Sequence, residues 1–324
     1  NGVTKVTSME IEEDDETSPS LAANSQACEA FNNSKIEEAY GKILKGIDYH
    51  KGDGNLPNEQ LCVYENNLGC ILVRKEQYPQ ALEVLEKAYN LGIQCFGKEH
   101  LAPMICLNNI LCLLSVLENM QKIKELENDF RVDLLLDQIP LEEQSKNAPL
   151  YSRLYENYGD VCYVMSGYKH ARFYMDKCRV AYEKSLGIKQ ANLPEEHPAI
   201  AKSLADIGNV FYDKMDYEKS MQHFERALKI RKTVFGDDHL EVANSLSQIS
   251  RCYRALSNDE TALRIEKESF DIKNRLFADN QNESNIFLAN GYQGLGRIYY
   301  NYQDDKKALN YIKQAMEIIQ RALG

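Results

Sequence analysis

The sequence predicts an all-α fold: a right-handed α-solenoid of about seven antiparallel helix pairs over residues 20–324, behind an acidic disordered tail at residues 1–19. Three observations carry that prediction. A small or slim residue recurs at one register (Ala27, Gly69, Leu111, Gly159, Gly208, Ser250, Gly296), at spacings of 42, 42, 48, 49, 42 and 46 residues. Around most of these points a bulky residue follows at +3, Ala or Ser at +12, a large apolar residue at +16 and a small one at +19. The cleanest copy is Gly208, Phe211, Ser220, Phe224, Ala227. A related connector also recurs, as Phe96-Gly-Lys-Glu-His100 and Phe235-Gly-Asp-Asp-His239, with the weaker Leu193-Pro-Glu-Glu-His197 between them. A fixed period of this length marks stacked helix pairs. Because such arrays grow by stacking, 324 residues need not divide into two cores.

The tail carries Glu10, Glu12, Glu13, Asp14, Asp15 and Glu16 against Lys5 and has no apolar helical face, a composition that cannot bury a core. Pro19 and Ser20 open the first helix. In the fifth unit, helix A is expected over about 199–213 and helix B over about 217–234. Ala201, Leu204, Ile207 and Val210 form one apolar face; Tyr217, Met221, Phe224 and Leu228 form the other. Glycine inside a helix costs about 1 kcal/mol against alanine, so Gly208 implies close approach of the partner helix, as do Gly69, Gly159 and Gly296. Gly97 and Gly236 are placed to end helices in the left-handed conformation, and the acids after them suit the next helix N-terminus. The third unit departs from the pattern, with Leu111, Glu127 and Phe130 where small and apolar residues are expected. The stretches 133–150 and 186–198 are long, and each fits degenerate packing, a bend or an inserted helix.

Composition narrows the function. The net charge of −11, of which the tail holds −5, argues against sequence-independent nucleic-acid binding. Nine cysteines form no CxxC pair, and several sit where the period demands a compact apolar residue, as reduced thiols of a cytoplasmic protein would. No run is long enough for a membrane span. His100, His197 and His239 recur at one repeat position just before a helix A, which marks a connector feature. No catalytic or nucleotide-binding motif and no metal-ligand spacing occurs. The expectation is a non-enzymatic chain without cofactor. Its ends, Asn1 and Gly324, fit an excerpt of a longer protein.

The pattern resembles the tetratricopeptide repeat (TPR). Its 42-residue period and FGxxH connectors are similar to the subtype of kinesin light chains and nephrocystin-like scaffolds. Helix A of the second and third units reads Glu65-Asn-Asn-Leu-Gly69 and Leu107-Asn-Asn-Ile-Leu111, close to the Asn-Asn-Leu-Ala segment of kinesin light chain repeats. The resemblance implies a concave face lined by helices A, an interaction module that captures an extended peptide, and a role as cargo adaptor or scaffold. The alternative is a regulatory TPR arm of a larger protein, clamping another domain or partner.

Counted from each small residue, the groove-facing positions give Asn66, Asn67, Asn108, Asn109, Arg153 and Asn157 in the first half. The second half gives Lys202, Asn209, Asn244, Gln248, Arg251, Arg254, Gln293 and Arg297. Side-chain amides both donate and accept, so an asparagine ladder can hold a peptide main chain; equally, it can bond neighbouring helices to each other. The first half is flanked by Val63, Val73 and Ile105 and the second by basic residues, so the expected ligand joins an apolar or aromatic anchor to acidic residues. Residues 9–16 of the tail have that character and fit the groove as an internal ligand.

Overall fold

The computed structural model describes residues 19–53, 58–98, 100–129, 141–167, 171–277 and 285–323. Among the described residues there are fifteen α-helices and no strand: α1 Pro19–Asn32, α2 Ile36–Asp53, α3 Asn58–Arg74, α4 Tyr78–Phe96, α5 Leu101–Val116, α6 Met120–Asp129, α7 Leu141–Lys146, α8 Ala148–Ser166, α9 Ala171–Asn192, α10 Pro198–Asp213, α11 Tyr217–Phe235, α12 Leu240–Ala255, α13 Asp259–Phe277, α14 Asn285–Asn301 and α15 Asp305–Leu323. They form a helix-pair solenoid of about seven pairs. The chain divides into two compact units, Asn1–Ala181 and Tyr182–Gly324, with the boundary inside α9. Of the acidic segment 1–19, only Pro19 lies among the described residues, and so does none of 9–16.

Three of the pairs close on a bare register position. A Cβ added to Gly69 would lie 2.5 Å from Leu85 Cγ, one on Gly208 2.6 Å from Phe224 Cε1, and one on Gly296 2.9 Å from Ile312 Cγ1. These neighbours are the large apolar residues at +16. Leu85 and Phe224 are fully buried, so neither has room to retreat. Where serine replaces glycine or alanine, its hydroxyl finds a carbonyl of the partner helix. Ser220 Oγ donates to Gly208 O at 2.8 Å, and Ser250 Oγ to Ala262 O at 2.9 Å.

The turn between the helices of a pair holds a feature absent from the apolar pattern. Ser34, Glu76, Glu118, Met215, Ser257 and Gln303 all have φ between 52° and 62°, and each stands seven residues after its register position. The left-handed conformation costs a non-glycine residue about 1–2 kcal/mol, and six turns among the described residues bear that cost to reverse direction in three residues. Met215 is 75% exposed, so Met215→Gly removes little packing. It is expected to stabilise the second unit by up to about 1 kcal/mol, read as a rise in urea midpoint at constant slope.

The connectors between pairs end differently from the sequence expectation. Gly97 and Gly236 have φ of 84° and 78° with ψ of 164° and 174°. That is the region open essentially to glycine alone, outside the left-handed helical well. The acids that follow do not cap the next helix; the histidines do. The Nδ1 atoms of His100, His197 and His239 accept from Ala102 N, Ala199 N and Glu241 N at 3.2, 3.1 and 3.1 Å. The rings of His100 and His239 stack on Phe96 and Phe235 at 4.4 and 4.3 Å. The recurring histidine is therefore an N-cap held by its own connector.

The long stretch 186–198 is mostly helix. Helix α9 continues to Asn192, giving 22 residues where the other second helices from α4 onward have 19 or fewer. Of 133–150, residues 141–146 form the short helix α7 and Ala148 already begins α8; residues 133–140 lie outside the described residues. No helix among the described residues is long and apolar enough to cross a membrane.

Candidate functional site

The predicted ligand-binding residues divide sharply between the two units. In the first, the asparagines form a buried seam between successive A helices. Asn67 Nδ2 donates to Asn24 Oδ1 at 3.0 Å, Asn109 Nδ2 to Asn66 Oδ1 at 2.9 Å, and Asn157 Nδ2 to Asn108 Oδ1 at 2.9 Å; Asn108 Nδ2 reaches Leu154 O at 3.2 Å. Asn66, Asn67, Asn108, Asn109 and Asn157 are at most 2% exposed. Their amides are engaged with neighbouring helices, and none is open to a passing peptide. Of the first-half set only Arg153 is exposed. Two of the three expected apolar flank residues are likewise interior, Val73 and Ile105 being core residues at 4% exposure, while Val63 is half-buried.

Small thiols pack along the same seam. Asn67 Nδ2 lies 3.4 Å from Cys28 Sγ, and Asn109 Nδ2 3.5 Å from Cys70 Sγ. All nine cysteines are free. Burial pushes the Cys70, Cys106 and Cys252 thiols above their ordinary range. They fill space as neutral thiols and do not act as thiolate nucleophiles.

In the second unit the predicted residues converge. Lys202, Asn209, Asn244, Gln248, Arg251, Arg254, Gln293 and Arg297 all line one cavity of about 490 Å³ on the A-helix face of α10, α12 and α14. The period explains the convergence. Lys202, Asn244 and Asn290 stand six residues before their register positions and make one wall; Asn209, Arg251 and Arg297 stand one residue after and make the other. Seven residues of helix separate the walls by about 10 Å.

The cavity floor comes from helices B, and the apolar period gave no sign of it. Arg231 on α11 and Lys273 on α13 reach through to the A-helix side, as does Glu266. All three are buried, Glu266 and Lys273 at 3% exposure. Arg231 donates to Ser245 Oγ at 2.6 Å and pairs with the Glu241 carboxylate at 3.0 Å. Ser247 joins the other two: its hydroxyl donates to Glu266 Oε1 at 3.0 Å and accepts from Lys273 Nζ at 3.0 Å. Burial raises the Glu266 carboxyl and lowers the Lys273 ammonium, each opposed by the other's charge. Burial also lowers Arg231, opposed by Glu241. A Cβ on Gly294 would meet Glu266 Oε1 at 2.3 Å, so that glycine admits the carboxylate. One signal was available in the sequence: Lys189, Arg231 and Lys273 are basic residues spaced 42 apart; Lys189 Nζ, like Arg231, donates to a serine on the following helix A, Ser203, at 2.8 Å, whereas Lys273 reaches Ser247 on the preceding one.

Six basic side chains line the cavity against three acidic ones, in a chain whose net charge is −11. The acids do not neutralise the upper wall. Asp206 holds Lys202 at 2.9 Å and Glu241 holds Arg231, while Arg251, Arg254 and Arg297 have no carboxylate within 4.0 Å among the described residues. Arg251 lies over the Tyr212 ring, 4.4 Å from its centroid, which fixes the guanidinium and leaves its N–H edges open. Gln248 Oε1 is buried without a hydrogen-bond partner. Among the described residues no group of His, Cys, Asp or Glu is placed to hold a metal.

Residues 199–275, spanning α10 to α13, match the tetratricopeptide repeat family. The fold is of the tetratricopeptide-repeat kind. Solved structures extend the likeness over most of the chain. The apo form of RapI superposes with a TM-score of 0.58 at 11% identity, covering 93% of this chain and 98% of that one. BtubC (BKLC) from P. vanneervenii gives 0.54 at 18%, covering 76% and 91%. The Rap conjugation gene regulator of the plasmid pLS20, in complex with the Phr* peptide, gives 0.52 at 12%, covering 93% and 74%. At such identities the likeness is one of fold. No curated protein matches the chain by sequence.

Proposed function

We propose that this TPR-like chain is a non-catalytic interaction module whose second unit captures an acidic linear peptide, as a cargo adaptor or scaffold of the kinesin light chain type would. One observation carries the reading: the α10–α12–α14 cavity gathers the guanidinium groups of Arg251 and Arg297, with no carboxylate within 4.0 Å among the described residues, beside Arg254, whose charge is felt by Glu266, in a protein that is acidic overall. Guanidinium and carboxylate match in geometry as well as charge, and their paired hydrogen bonds are among the stronger polar contacts. The wall of Asn244 and Asn290 supplies amide groups for a peptide main chain. Apolar lining is limited to Ala205 and Ile298, so an apolar anchor on this ligand would be small or would sit outside the cavity. A similar fold solved with a peptide in place is in keeping with this reading.

The test is a titration of the chain with acidic peptides and their amide counterparts (Glu→Gln, Asp→Asn) at low and high ionic strength. Acidic peptides are expected to bind and to weaken with salt, since the Debye length falls from about 10 Å at 0.1 M to about 3 Å at 1 M. Equal binding of the acidic and amide series, or an affinity indifferent to salt, would contradict the proposal.

A further inference from the structure

Glu266 brings a carboxylate into a cavity whose other features favour the capture of carboxylates. It rises from α13, a helix B, yet lines the A-helix side at 3% exposure. Its seat is built into the fold. Ser247 Oγ on α12 donates to Glu266 Oε1 at 3.0 Å, and a Cβ on Gly294 of α14 would collide with the same oxygen. The carboxylate thus lies between a hydroxyl donor and bare backbone. Two cations act on it. One is Lys273 on its own helix, whose Nζ bonds the same Ser247 hydroxyl at 3.0 Å; the other is Arg254 on α12. From α14, Arg297 lines the cavity beside the uncharged Asn290 and Gln293.

This arrangement sets the chain's own carboxylate against that of a ligand. An acidic group arriving on Arg254 meets a like charge already in place, and like charges juxtaposed at an interface are strongly disfavoured. Arg254 keeps its proton at any working pH, so the balance at the floor turns on Glu266. Burial raises the Glu266 carboxyl, opposed by Lys273, Ser247 and Arg254. It therefore takes up a proton at a pH where an exposed glutamate of a ligand is still charged.

We propose that Glu266 is a specificity-determining residue of this cavity, an internal competitor of the ligand: as a carboxylate it holds the charge of Arg254 and Lys273, and as a neutral acid it leaves that charge to an acidic peptide. Ligand capture is then coupled to proton uptake. It strengthens as pH falls through the range where Glu266 is neutralised, and weakens only where the ligand's own glutamates lose their charge, near pH ~4.3. The inference rests on the acidic-peptide reading above and adds to it a residue and a pH dependence.

The experiment titrates one capped, glutamate-containing peptide into the wild-type chain and into Glu266→Gln by fluorescence anisotropy, from about pH 8 down to about pH 4.5. Glutamine keeps the size of the side chain and an oxygen for the Ser247 hydroxyl, and removes the charge. At about pH 8 the variant is expected to bind about tenfold more tightly than wild type. On acidification the wild type is expected to approach the variant, whose own affinity does not rise. The double variant Glu266→Gln/Lys273→Met guards against loss of fold, since replacing both members of a buried ion pair by neutral residues is often neutral or stabilising; it too is expected to lack the rise on acidification. Affinity of Glu266→Gln at or below that of wild type at about pH 8, or parallel pH profiles for wild type and variants, would overturn the inference while leaving acidic-peptide capture standing. Failure of wild type and both variants to bind the acidic peptide at any pH would overturn both.

Discussion

Phe224→Ala is expected to cost about 3–5 kcal/mol of stability, the range for removing a fully buried aromatic ring. Phe224 is 1% exposed, and its ring edge lies against the bare backbone of Gly208. The reciprocal change adds an atom where the ring already sits. Gly208→Ala places Cβ at 2.6 Å from Phe224 Cε1, and overpacking of this kind costs about 1–3 kcal/mol despite the helix propensity that alanine adds. Gly187 in α9 is the control. Nothing lies within 4 Å of a Cβ built there, so Gly187→Ala is expected to stabilise by up to about 1 kcal/mol. Urea denaturation of the three variants checks both signs. If Gly208→Ala and Gly187→Ala shift the midpoint alike, the register residues are not contact points.

Asn109→Leu is expected to cost about 1–3 kcal/mol, because it leaves the buried Oδ1 of Asn66 without its donor at 2.9 Å. Asn66→Leu in the same chain removes the stranded partner, so the double variant is expected to lose less than the sum of the single losses. Thermal or urea unfolding gives the coupling. Additive losses would show that the amides do not act on each other. Because these amides are interior, the same variants separate two roles: a seam changes stability and spares peptide affinity, whereas a ligand ladder would do the reverse.

The helix pairs were legible because close packing leaves a mark on residue size. A glycine such as Gly208, costly in a helix, is retained where a phenylalanine must fit against it, and that pairing recurs with the period. That Arg251 and Arg297 share one face was legible too, since both follow register residues directly, and both line the cavity. The asparagines were legible as a ladder, but the choice between its two roles, holding a peptide or bonding neighbouring helices, was not. A side chain two or three residues before the register faces the next A helix, and the distance to that helix decides whether it meets water or another amide. In the first unit the neighbours are Asn24, Asn66 and Asn108, and the gap is closed; in the second the equivalent positions hold Ala205, Ser247 and Gln293, which line the cavity in place of an asparagine seam. Glu266 and Lys273 were hidden from the apolar period for a different reason. They lie on helices B, whose apolar period reports packing within a pair and says nothing of what crosses to the other side. The left-handed turn residues left no mark because serine, glutamate, methionine and glutamine all occupy that conformation here.

Charge exchange across the cavity is the most direct measurement of what the second unit does. The variant carrying both Arg251→Glu and Arg297→Glu is expected to bind an acidic peptide about 100-fold or more weakly, given the coupling of close charge pairs at interfaces, and to gain affinity for the same peptide with lysine in place of glutamate. Unchanged binding of the acidic peptide by this folded variant would contradict the account.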